Sequence, residues 1–474
     1  MEKRWGVLTV TTIGVFMTSF DASLLVVGLP IVINDLNTDL ATGSWVITIY
    51  RLALTILLIP IGRISDIYGR VRLYSFGYFI FALSSLLCSL TTDIYQLLIF
   101  RLIQGIGASL IFVNSMAIVT DAFSGRGLGA GMGLNQMAIN AGTILGYTLS
   151  GVIISLYGWR ALFLVNFPIG ILGGIWAKTR LKENYSFSIM EKFDFTGAIL
   201  LSTALTLLIL GLTSGALTSP TTLSLIIFSS ILFLIFLFVE RRKNYPMIDF
   251  ELFRIRIFTI GNISNLLNGI SFASLAFLVS IYLEIVAGLS PIQAGLSLIP
   301  LDLTLILAGP ISGWMSDRIG SRILCTSGLA LTGIALITLS NISINIDLNL
   351  LLIALVLAGL GVGLFRSPNA SSVMASVPNS KRGVAAGIRS TIINTSIALS
   401  IPFSVAIITT TTSFSNLSIF IDGREVGEPS QLMELLDLVQ GIKNALLASA
   451  GLNIVAAIIS YFREDKIAEK SISV

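Results

Sequence analysis

The chain has 474 residues, of which 54% are hydrophobic and 11% are charged, and its mean hydropathy is +0.92. A soluble domain carries about 25% charged residues, so this composition excludes a protein that covers its surface with charge. The net charge of +4 at pH 7 does not indicate a nucleic-acid partner, because the basic residues lie almost entirely in short loops between apolar runs.

Apolar stretches of about 20 residues recur along the whole chain, and each is long enough to cross a hydrocarbon core of about 30 Å. The runs are continuous, without the alternation of a barrel strand, so the sequence predicts an all-α integral membrane protein. We predict fourteen spans, near residues 6–30, 42–62, 72–91, 94–119, 128–157, 160–178, 195–216, 220–240, 257–286, 292–316, 322–341, 347–371, 384–413 and 440–462.

Lysine and arginine concentrate in alternate loops, as at Arg63, Arg70 and Arg72, whereas the other loops hold few, such as Arg160. The positive-inside rule then places both termini in the cytoplasm, which requires an even number of spans. The first apolar run extends to about Ile33 without an Ala-x-Ala site, so we interpret it as an uncleaved span. We expect a multi-pass protein of the cell membrane, with a charged cytoplasmic linker at residues 178–192.

The composition also limits the available chemistry, because the chain has no histidine and two cysteines, Cys88 and Cys325. The cysteines are predicted near opposite membrane faces, so we expect no disulfide, and neither has the spacing of a zinc site. No metal or organic cofactor is indicated. Proton chemistry must therefore rest mainly on carboxylates.

An internal repeat links the ends of the second and tenth predicted spans. The second span ends in Gly62-Arg-Ile-Ser-Asp66-Ile-Tyr-Gly69-Arg70, and the tenth ends in Gly313-Trp-Met-Ser-Asp317-Arg318-Ile-Gly320. Both copies face the same side, which indicates parallel repeats related by an axis along the membrane normal. We therefore predict a six-helix bundle at residues 1–180, linkers and two inserted helices at 181–256, and a second six-helix bundle at 257–474.

These repeated segments are predicted to gate the cytoplasmic side. Their first glycine permits close approach of helices, and their turn glycine supplies a conformation that β-carbons resist. The acidic residue between them can bind an arginine or a helix N-terminus. The alternative is a hydrophilic loop that merely obeys the positive-inside rule. The candidate gate residues are Gly62, Asp66, Gly69, Arg70 and Arg72, with Gly313, Asp317, Arg318, Gly320 and Arg322.

Several motifs together resemble the 14-helix drug:proton antiporter branch of the major facilitator superfamily. They are Gly62 to Arg72, Arg101-Leu-Ile-Gln104-Gly105-Ile-Gly107-Ala108, Asp21 nine residues before Pro30, Gly158-Trp159-Arg160, Asn166-Phe-Pro168, Asp194-Phe-Thr-Gly197 and Gly288-Leu-Ser-Pro291. The resemblance covers essentially the whole chain and implies two six-helix bundles plus two inserted helices. It also implies proton-coupled export of hydrophobic or cationic molecules, with Arg101 in proton coupling. One departure is Tyr147, which stands where the antiporter signature of the fifth helix has proline.

Four charged residues, Asp21, Arg51, Arg101 and Asp302, are predicted inside the membrane. Each lies about seven to ten residues from the external end of its span, which is about 10–15 Å deep. A charge at the centre of a span costs about 2.5–3.5 kcal/mol on insertion scales, so each needs a reason. We predict that Asp21 carries the coupled proton, with Arg101 as its switch and Asp302 as the second candidate. The alternative is a fixed structural network of ion pairs.

Arg51 and Asp302 occupy equivalent positions of the repeat with opposite charge, eleven residues before Gly62 and Gly313 respectively. Equivalent sites straddle the axis that relates the two halves. We therefore predict that they form an external gate pair when the external side closes. The alternatives are that Arg51 binds an anionic substrate or pairs with Asp21.

The predicted function is a proton-coupled secondary transporter that works by alternating access around a central cavity. A membrane enzyme would need an acidic metal cluster or an HExxH motif, and ATP drive would need a Walker A sequence; the sequence has none of these. The alternative is a proton-coupled symporter or exporter of a specific metabolite, and Arg51 admits a metabolite that is anionic. We expect a monomer whose partners are a small-molecule substrate, protons and membrane lipid. Candidate cavity residues are Trp45, Gln104, Asn135, Gln136, Asn140, Asn265, Asn268, Phe272 and Asn394, each of which has helix packing as its alternative role.

Overall fold

A computed structural model describes residues 2–123, 127–183, 193–213, 219–243, 245–289, 291–341, 348–411 and 430–463. Fourteen helices in these ranges are long and apolar enough to cross a membrane, which confirms the predicted number of spans. They are α1 (Glu2–Asp35), α2 (Leu40–Tyr68), α3 (Arg70–Ser89), α4 (Ile94–Ala122), α5 (Leu128–Tyr157), α6 (Arg160–Leu164 and Asn166–Arg180), α7 (Phe195–Thr213), α8 (Pro220–Glu240), α9 (Arg256–Phe272, Leu275–Ile281 and a π-helical Tyr282–Val286), α10 (Pro291–Ser297 and Ile299–Ile319), α11 (Ser321–Leu339), α12 (Leu348–Ala375), α13 (Arg382–Ile408) and α14 (Ser430–Tyr461). Two 3₁₀ segments, Phe250–Arg254 and Asn379–Lys381, precede α9 and α13.

Local sequence explains where several helices begin and end. Asp39 and Asp93 cap α2 and α4, because their carboxylates accept hydrogen bonds from amides of the first helical turn. Gly69 separates α2 from α3 with φ of +110°, and Gly320 separates α10 from α11 with φ of +87°. Side chains other than glycine rarely adopt such angles, so the two copies of the repeat share the same kind of turn.

The chain divides into two compact units, and the first comprises Met1–Leu207, Phe228–Phe258 and Val373–Thr391. Small residues bring its helices close together. A β-carbon on Gly142 of α5 would lie 2.5 Å from the carbonyl oxygen of Phe16 of α1, and one on Gly146 would lie 2.7 Å from that of Phe20. The helix α5 is continuous from Leu128 to Tyr157 through Tyr147.

The second unit comprises Leu208–Ile227, Thr259–Ser372 and Ile392–Val474. Its core packs buried leucine and alanine residues of α9, α11, α12 and α14, such as Leu278, Leu336, Ala358 and Leu446. A break in α9 after Phe272 leaves the amide of Ser274 free to donate to the hydroxyl of Ser400 on α13. The domain boundaries predicted at 180 and 257 stay a prediction, and much of the linker predicted at 178–192 lies outside the described residues.

Candidate functional site

The carboxylate of Asp21 on α1 lies in a buried polar site within the first unit. Its Oδ2 atom accepts a hydrogen bond from Nη1 of Arg101 at 2.7 Å. Its Oδ1 atom accepts from Nε2 of Gln104 at 3.0 Å and from Nδ2 of Asn166 at 2.8 Å. Each of these four residues is at most 1% exposed. Asp21, Arg101, Gln104 and Asn166, called the Asp21 site below, join α1, α4 and α6.

The guanidinium of Arg101 is held on several sides. Its Nη1 atom also donates to Oε1 of Gln104 at 2.6 Å, and its Nε atom donates to the carbonyl oxygen of Val46 at 3.1 Å. The Tyr50 ring lies 4.2 Å from the guanidinium carbon. The Nη2 atom is buried without a hydrogen-bond acceptor among the described residues. A buried donor of this kind can bind a further acceptor without first breaking another bond.

The second segment of α6 positions Asn166 for this contact. The helix breaks at Val165, and Asn166 begins the new segment two residues before Pro168. Proline carries no amide hydrogen and is tolerated in the first helical turn, which is consistent with a helix start at this point. Depth within the spans predicted Asp21 and Arg101, and motif resemblance added Gln104. Asn166 was not predicted as a site residue, although it lies in a recognised motif.

A second charged site lies where α2 ends and α13 begins, and both parts belong to the first unit. Asp66 accepts hydrogen bonds from Arg70 through Nε at 2.9 Å and Nη2 at 2.6 Å. Arg70 also donates to Asp121 at 2.6 Å, and Asp121 accepts from Arg382 at 2.7 Å. Asp66, Arg70, Asp121 and Arg382, called the Asp66 cluster below, alternate in charge.

Asp66 also binds the N-terminal turn of α13. The amides of Gly383 and Val384 each donate to its carboxylate at 2.9 Å. A carboxylate is favoured there because the first amides of a helix lack intrahelical acceptors and carry partial positive charge. A β-carbon on Gly62 would collide with the carbonyl oxygen of Gly383, so glycine at position 62 is needed for this approach. Asp66 thus holds both kinds of partner that the sequence suggested for it.

Glu183 caps the beginning of α3 beside this cluster. Its carboxylate accepts from the amides of Arg70 at 2.9 Å, Val71 at 3.1 Å and Arg72 at 3.3 Å. Burial raises the pKa of Glu183, and these backbone hydrogen bonds oppose the rise. The side chain of Arg72 is exposed.

The equivalent segment of the repeat has a different environment within the second unit. Gly313 is buried in α10, whereas Asp317 is exposed. The guanidinium of Arg318 lies 3.8 Å from the ring of Trp314, and that of Arg322 lies 4.3 Å from the ring of Tyr461. The two copies therefore share a backbone turn at Gly69 and Gly320 but differ in the burial of their acidic residue.

The residues of the predicted external gate are exposed in their respective units. Arg51 is exposed on α2 of the first unit, and Asp302 is exposed on α10 of the second. Trp45, a cavity candidate, is also exposed on α2. Pairing between Arg51 and Asp302 stays a prediction. The alternative pairing of Arg51 with Asp21 is not observed, and Asp21 is hydrogen-bonded to Arg101.

The cavity candidates of α5 differ in burial. Asn135 is 4% exposed and donates to the hydroxyl of Ser115 at 3.0 Å, which is a helix–helix contact. Gln136 is half-buried and donates to Oδ1 of Asn140 at 3.3 Å. Gln136 and Asn140 are therefore better placed than Asn135 to meet a ligand.

The candidates of the second unit divide in the same way. Asn268 is 1% exposed and donates to Oδ1 of Asn453 on α14 at 2.9 Å, so it joins helices. The Nδ2 atom of Asn265 is buried without a hydrogen-bond acceptor in the described part of the chain. Phe272 and Asn394 are half-buried, and the guanidinium of Arg366 lies 5.4 Å from the Phe272 ring.

No group of three or more histidine, cysteine or acidic side chains among the described residues is arranged to hold a metal ion. Neither Cys88 nor Cys325 forms a disulfide, and both are buried.

Comparison with known proteins agrees with this architecture. A family model described as Major Facilitator Superfamily matches residues 11–252 and 261–473. The chain is 32% identical over 403 residues to the riboflavin transporter RibZ of Clostridioides difficile, and the aligned part is 85% of this chain and 88% of that protein. It is 29% identical over 391 residues to the multidrug resistance protein Stp of Mycobacterium tuberculosis, and the aligned part is 81% of this chain and 72% of that protein. The crystal structure of the human organic anion transporter MFSD10 superposes with a TM-score of 0.67 at 17% identity, covering 96% of this chain and 99% of that one.

Proposed function

The chain belongs to the Major Facilitator Superfamily, as its motifs indicated, and we propose that it is a proton-coupled exporter of hydrophobic or cationic drug-like molecules. It is a multi-pass membrane protein with fourteen candidate spans. Members of this superfamily transport small molecules by alternating the side from which a central site is accessible. The proposal concerns the coupling ion, the direction of transport and the substrate.

The Asp21 site is the observation that carries the proposal. A carboxylate buried in a membrane helix and held by an arginine and two amides has the chemistry of a proton site. Protonation of Asp21 removes the charge that holds Arg101, and the guanidinium is then free to bind another acceptor through Nη1 and Nη2. Loss of the proton restores the ion pair. Exchange between these two states is the proposed coupling step.

The substrate class is supported by similarity and by composition of the cavity candidates. Stp, at 29% identity, is named as a multidrug resistance protein. Aromatic residues such as Trp45 and Phe272 have the apolar and π surface that binds hydrophobic cations. The Asp66 cluster is the proposed cytoplasmic gate, and the Arg51–Asp302 pair is the proposed external gate.

A second candidate is transport of a specific metabolite, with either direction of proton movement. The observation that favours it is the 32% identity to a protein named as a riboflavin transporter. The exposed guanidinium of Arg51 would then contact an acidic or hydrogen-bonding group of the substrate.

Reconstituted vesicles with an imposed pH gradient test both candidates. We use ethidium as the hydrophobic cation, riboflavin as the metabolite, and a lumenal pH dye to follow protons. We expect the gradient to drive ethidium movement, and we expect Asp21→Asn to reduce that movement at least about tenfold while the protein stays folded. Asp35→Asn is the matched control, because Asp35 lies on the same helix in an exposed ion pair.

Gradient-driven riboflavin movement without ethidium movement would favour the second candidate. Normal gradient dependence in Asp21→Asn would refute the proton site.

The proposed orientation places both termini in the cytoplasm of a cell-membrane protein. Tyr68, Ile319 and Tyr157 are exposed at helix ends, and the native cysteines are buried, so single cysteine substitutions at these positions give little background labelling. We expect Tyr68→Cys and Ile319→Cys to react with an impermeant thiol reagent from the cytoplasmic side, and Tyr157→Cys from outside. Labelling of the first two from opposite sides would refute the parallel repeat.

A further inference from the structure

Two buried carboxyl groups meet at the base of the inserted helices, within the first unit and away from the Asp21 site. Asp194 precedes α7 and is 6% exposed, and Glu240 ends α8 and is 1% exposed. One oxygen of each carboxyl group lies beside the same point above Gly197. They are called the carboxyl pair below.

One oxygen of each carboxyl group is fully engaged. Oδ1 of Asp194 accepts from the amide of Gly197 at 2.9 Å and from Lys243. Oε1 of Glu240 accepts from the amide of Met247 and from that of Ile248 at 2.9 Å. These contacts tie the start of α7 and the end of α8 to the segment that leads into α9.

The other oxygen of each group receives no hydrogen bond from any described residue, although both are buried. Oδ2 of Asp194 and Oε2 of Glu240 converge above Gly197, where an added β-carbon would lie 2.7 Å and 2.6 Å from them. Two buried carboxylate oxygens that face each other repel strongly unless one of them bears a hydrogen. A hydrogen on Glu240 would satisfy both oxygens with one bond.

The balance of charge among the described residues around the carboxyl pair favours binding of one proton. Lys243 supplies one positive charge beside Asp194. Arg241 and Arg242, which follow Glu240 in sequence, are exposed and lie over the rings of Phe250 and Phe238. Among the described residues, two carboxylates therefore face one ammonium, which leaves one negative charge uncompensated in a buried place.

The pKa of Asp194 agrees with this assignment. Its burial acts to raise the pKa, but the Gly197 amide, Lys243 and the Glu240 carboxyl outweigh burial and lower it. We assign the charge to Asp194 because Lys243 contacts its carboxylate, and we assign the hydrogen to Glu240, whose Oε1 atom meets only neutral amides.

We propose that the Asp194–Glu240 carboxyl pair is a second proton-binding site, which holds the segment before α9 in place while Glu240 is protonated. Loss of the proton to water leaves two facing carboxylates, which move apart and release the Met247 and Ile248 amides. The proposal rests on this geometry and not on the proposed transport cycle.

The segment held by Glu240 connects the pair to the Asp66 cluster. Asp249 follows Ile248 directly, and Glu251 lies two residues further on. Both bind Lys381, Glu251 at 3.1 Å. Lys381 precedes Arg382, which belongs to the Asp66 cluster. A proton on Glu240 thereby stabilises the segment that anchors the start of α13. The protonation state of Glu240 is thereby connected to the position of the residues that form the Asp66 cluster.

Hydrogen exchange in the purified full-length protein tests the proposal at the two amides that Glu240 holds. We expect the protection of Met247 and Ile248, corrected for intrinsic exchange, to fall at least about tenfold between about pH 5 and about pH 9. Glu240→Gln should keep protection at every pH, because its amide oxygen still accepts both bonds and its NH₂ group donates to Asp194. Glu251→Gln is the control on the same segment and should keep the wild-type pH dependence.

Infrared spectroscopy supplies a direct readout of the proton. In the wild-type-minus-Glu240→Gln difference spectrum, the C=O band of a protonated carboxyl should be present near neutral pH, because Asp21 contributes equally to both proteins. The same pH step in Glu240→Gln as in the wild type would overturn the proposal. Absence of both the step in the wild type and the band in the difference spectrum would also overturn it, and so would a step that follows the Na⁺ concentration instead of pH.

Discussion

Nη1 of Arg101 lies 2.7 Å from Oδ2 of Asp21, although the two residues are 80 positions apart in the sequence. Both side chains are almost fully buried, so each charge depends on the other. Breaking a buried pair by removing one partner costs about 3–5 kcal/mol, because the remaining charge is left without compensation. This dependence gives the first prediction.

We expect Asp21→Asn and Arg101→Gln each to lower the unfolding temperature of the detergent-solubilised protein. The double variant should lose less than the sum of the two, by an interaction energy of about 0.5–3 kcal/mol, because it leaves no unpaired charge. Thermal unfolding of the four proteins measures this. Additive losses would show that the two charges do not stabilise each other.

The Asp66 cluster gives a prediction about stability, and the equivalent residue of the repeat, Asp317, provides the control. Asp66 binds Arg70 and two amides of α13, whereas Asp317 at the equivalent position is exposed. We expect Asp66→Asn to cost about 3–5 kcal/mol of stability, and we expect Asp317→Asn to cost about 1 kcal/mol or less. Thermal unfolding of both variants compares them. Equal losses would contradict the assignment of the buried contacts to Asp66.

The end of α1 at Asp35 gives a pH dependence with a defined sign. Asp35 accepts hydrogen bonds from Nε1 of Trp159 at 2.9 Å and from Arg160 at 2.8 Å, which together lower its pKa below the ordinary value of 3.8. A depressed pKa stabilises the folded state above the unfolded pKa, and the stabilisation is lost as pH falls through the folded pKa.

We therefore expect Asp35→Asn to be slightly less stable than the wild type at neutral pH and equally stable in strong acid. The pair is solvent-exposed, so added salt should reduce the difference. Unfolding temperatures measured across the acidic range at two salt concentrations test this. A difference that grows as pH falls would contradict the sign.

Sequence reasoning identified the fourteen spans because apolar length is a local property. It also identified Asp21 and Arg101, because an intramembrane charge is conspicuous. It gave Arg101 as the switch for Asp21 and kept pairing with Arg51 as an alternative, since both arginines lie at similar depth and only packing decides. The structure buries Arg101 completely and leaves Arg51 exposed. Asn166 was missed because a neutral amide within a span carries no comparable signal.

The carboxyl pair, which lies at helix ends, also could not be predicted from the sequence. Glu240 precedes Arg241 and Arg242, so the sequence alone indicates only the usual charged residues at the end of a membrane span. Its partner Asp194 lies before the preceding inserted helix and was noted only as part of a motif. The spacing of Asp194 and Glu240 in the sequence does not predict that the start of α7 and the end of α8 pack together with both carboxyl groups buried. The contact depends on how the two helices pack.

The last prediction concerns Arg51 and Asp302, which the repeat places in equivalent positions with opposite charge. If they close the external side as a pair, Arg51→Ala and Asp302→Ala should each reduce transport in vesicles. Exchange of the charges, Arg51→Asp with Asp302→Arg, should restore part of it, because attraction does not depend on which half carries which sign. Arg51→Asp alone should be worse than Arg51→Ala, since it places two like charges at the gate. An exchange variant no more active than the single variants would leave Arg51 as a substrate contact, and its loss would then alter substrate affinity while Asp302→Ala would not.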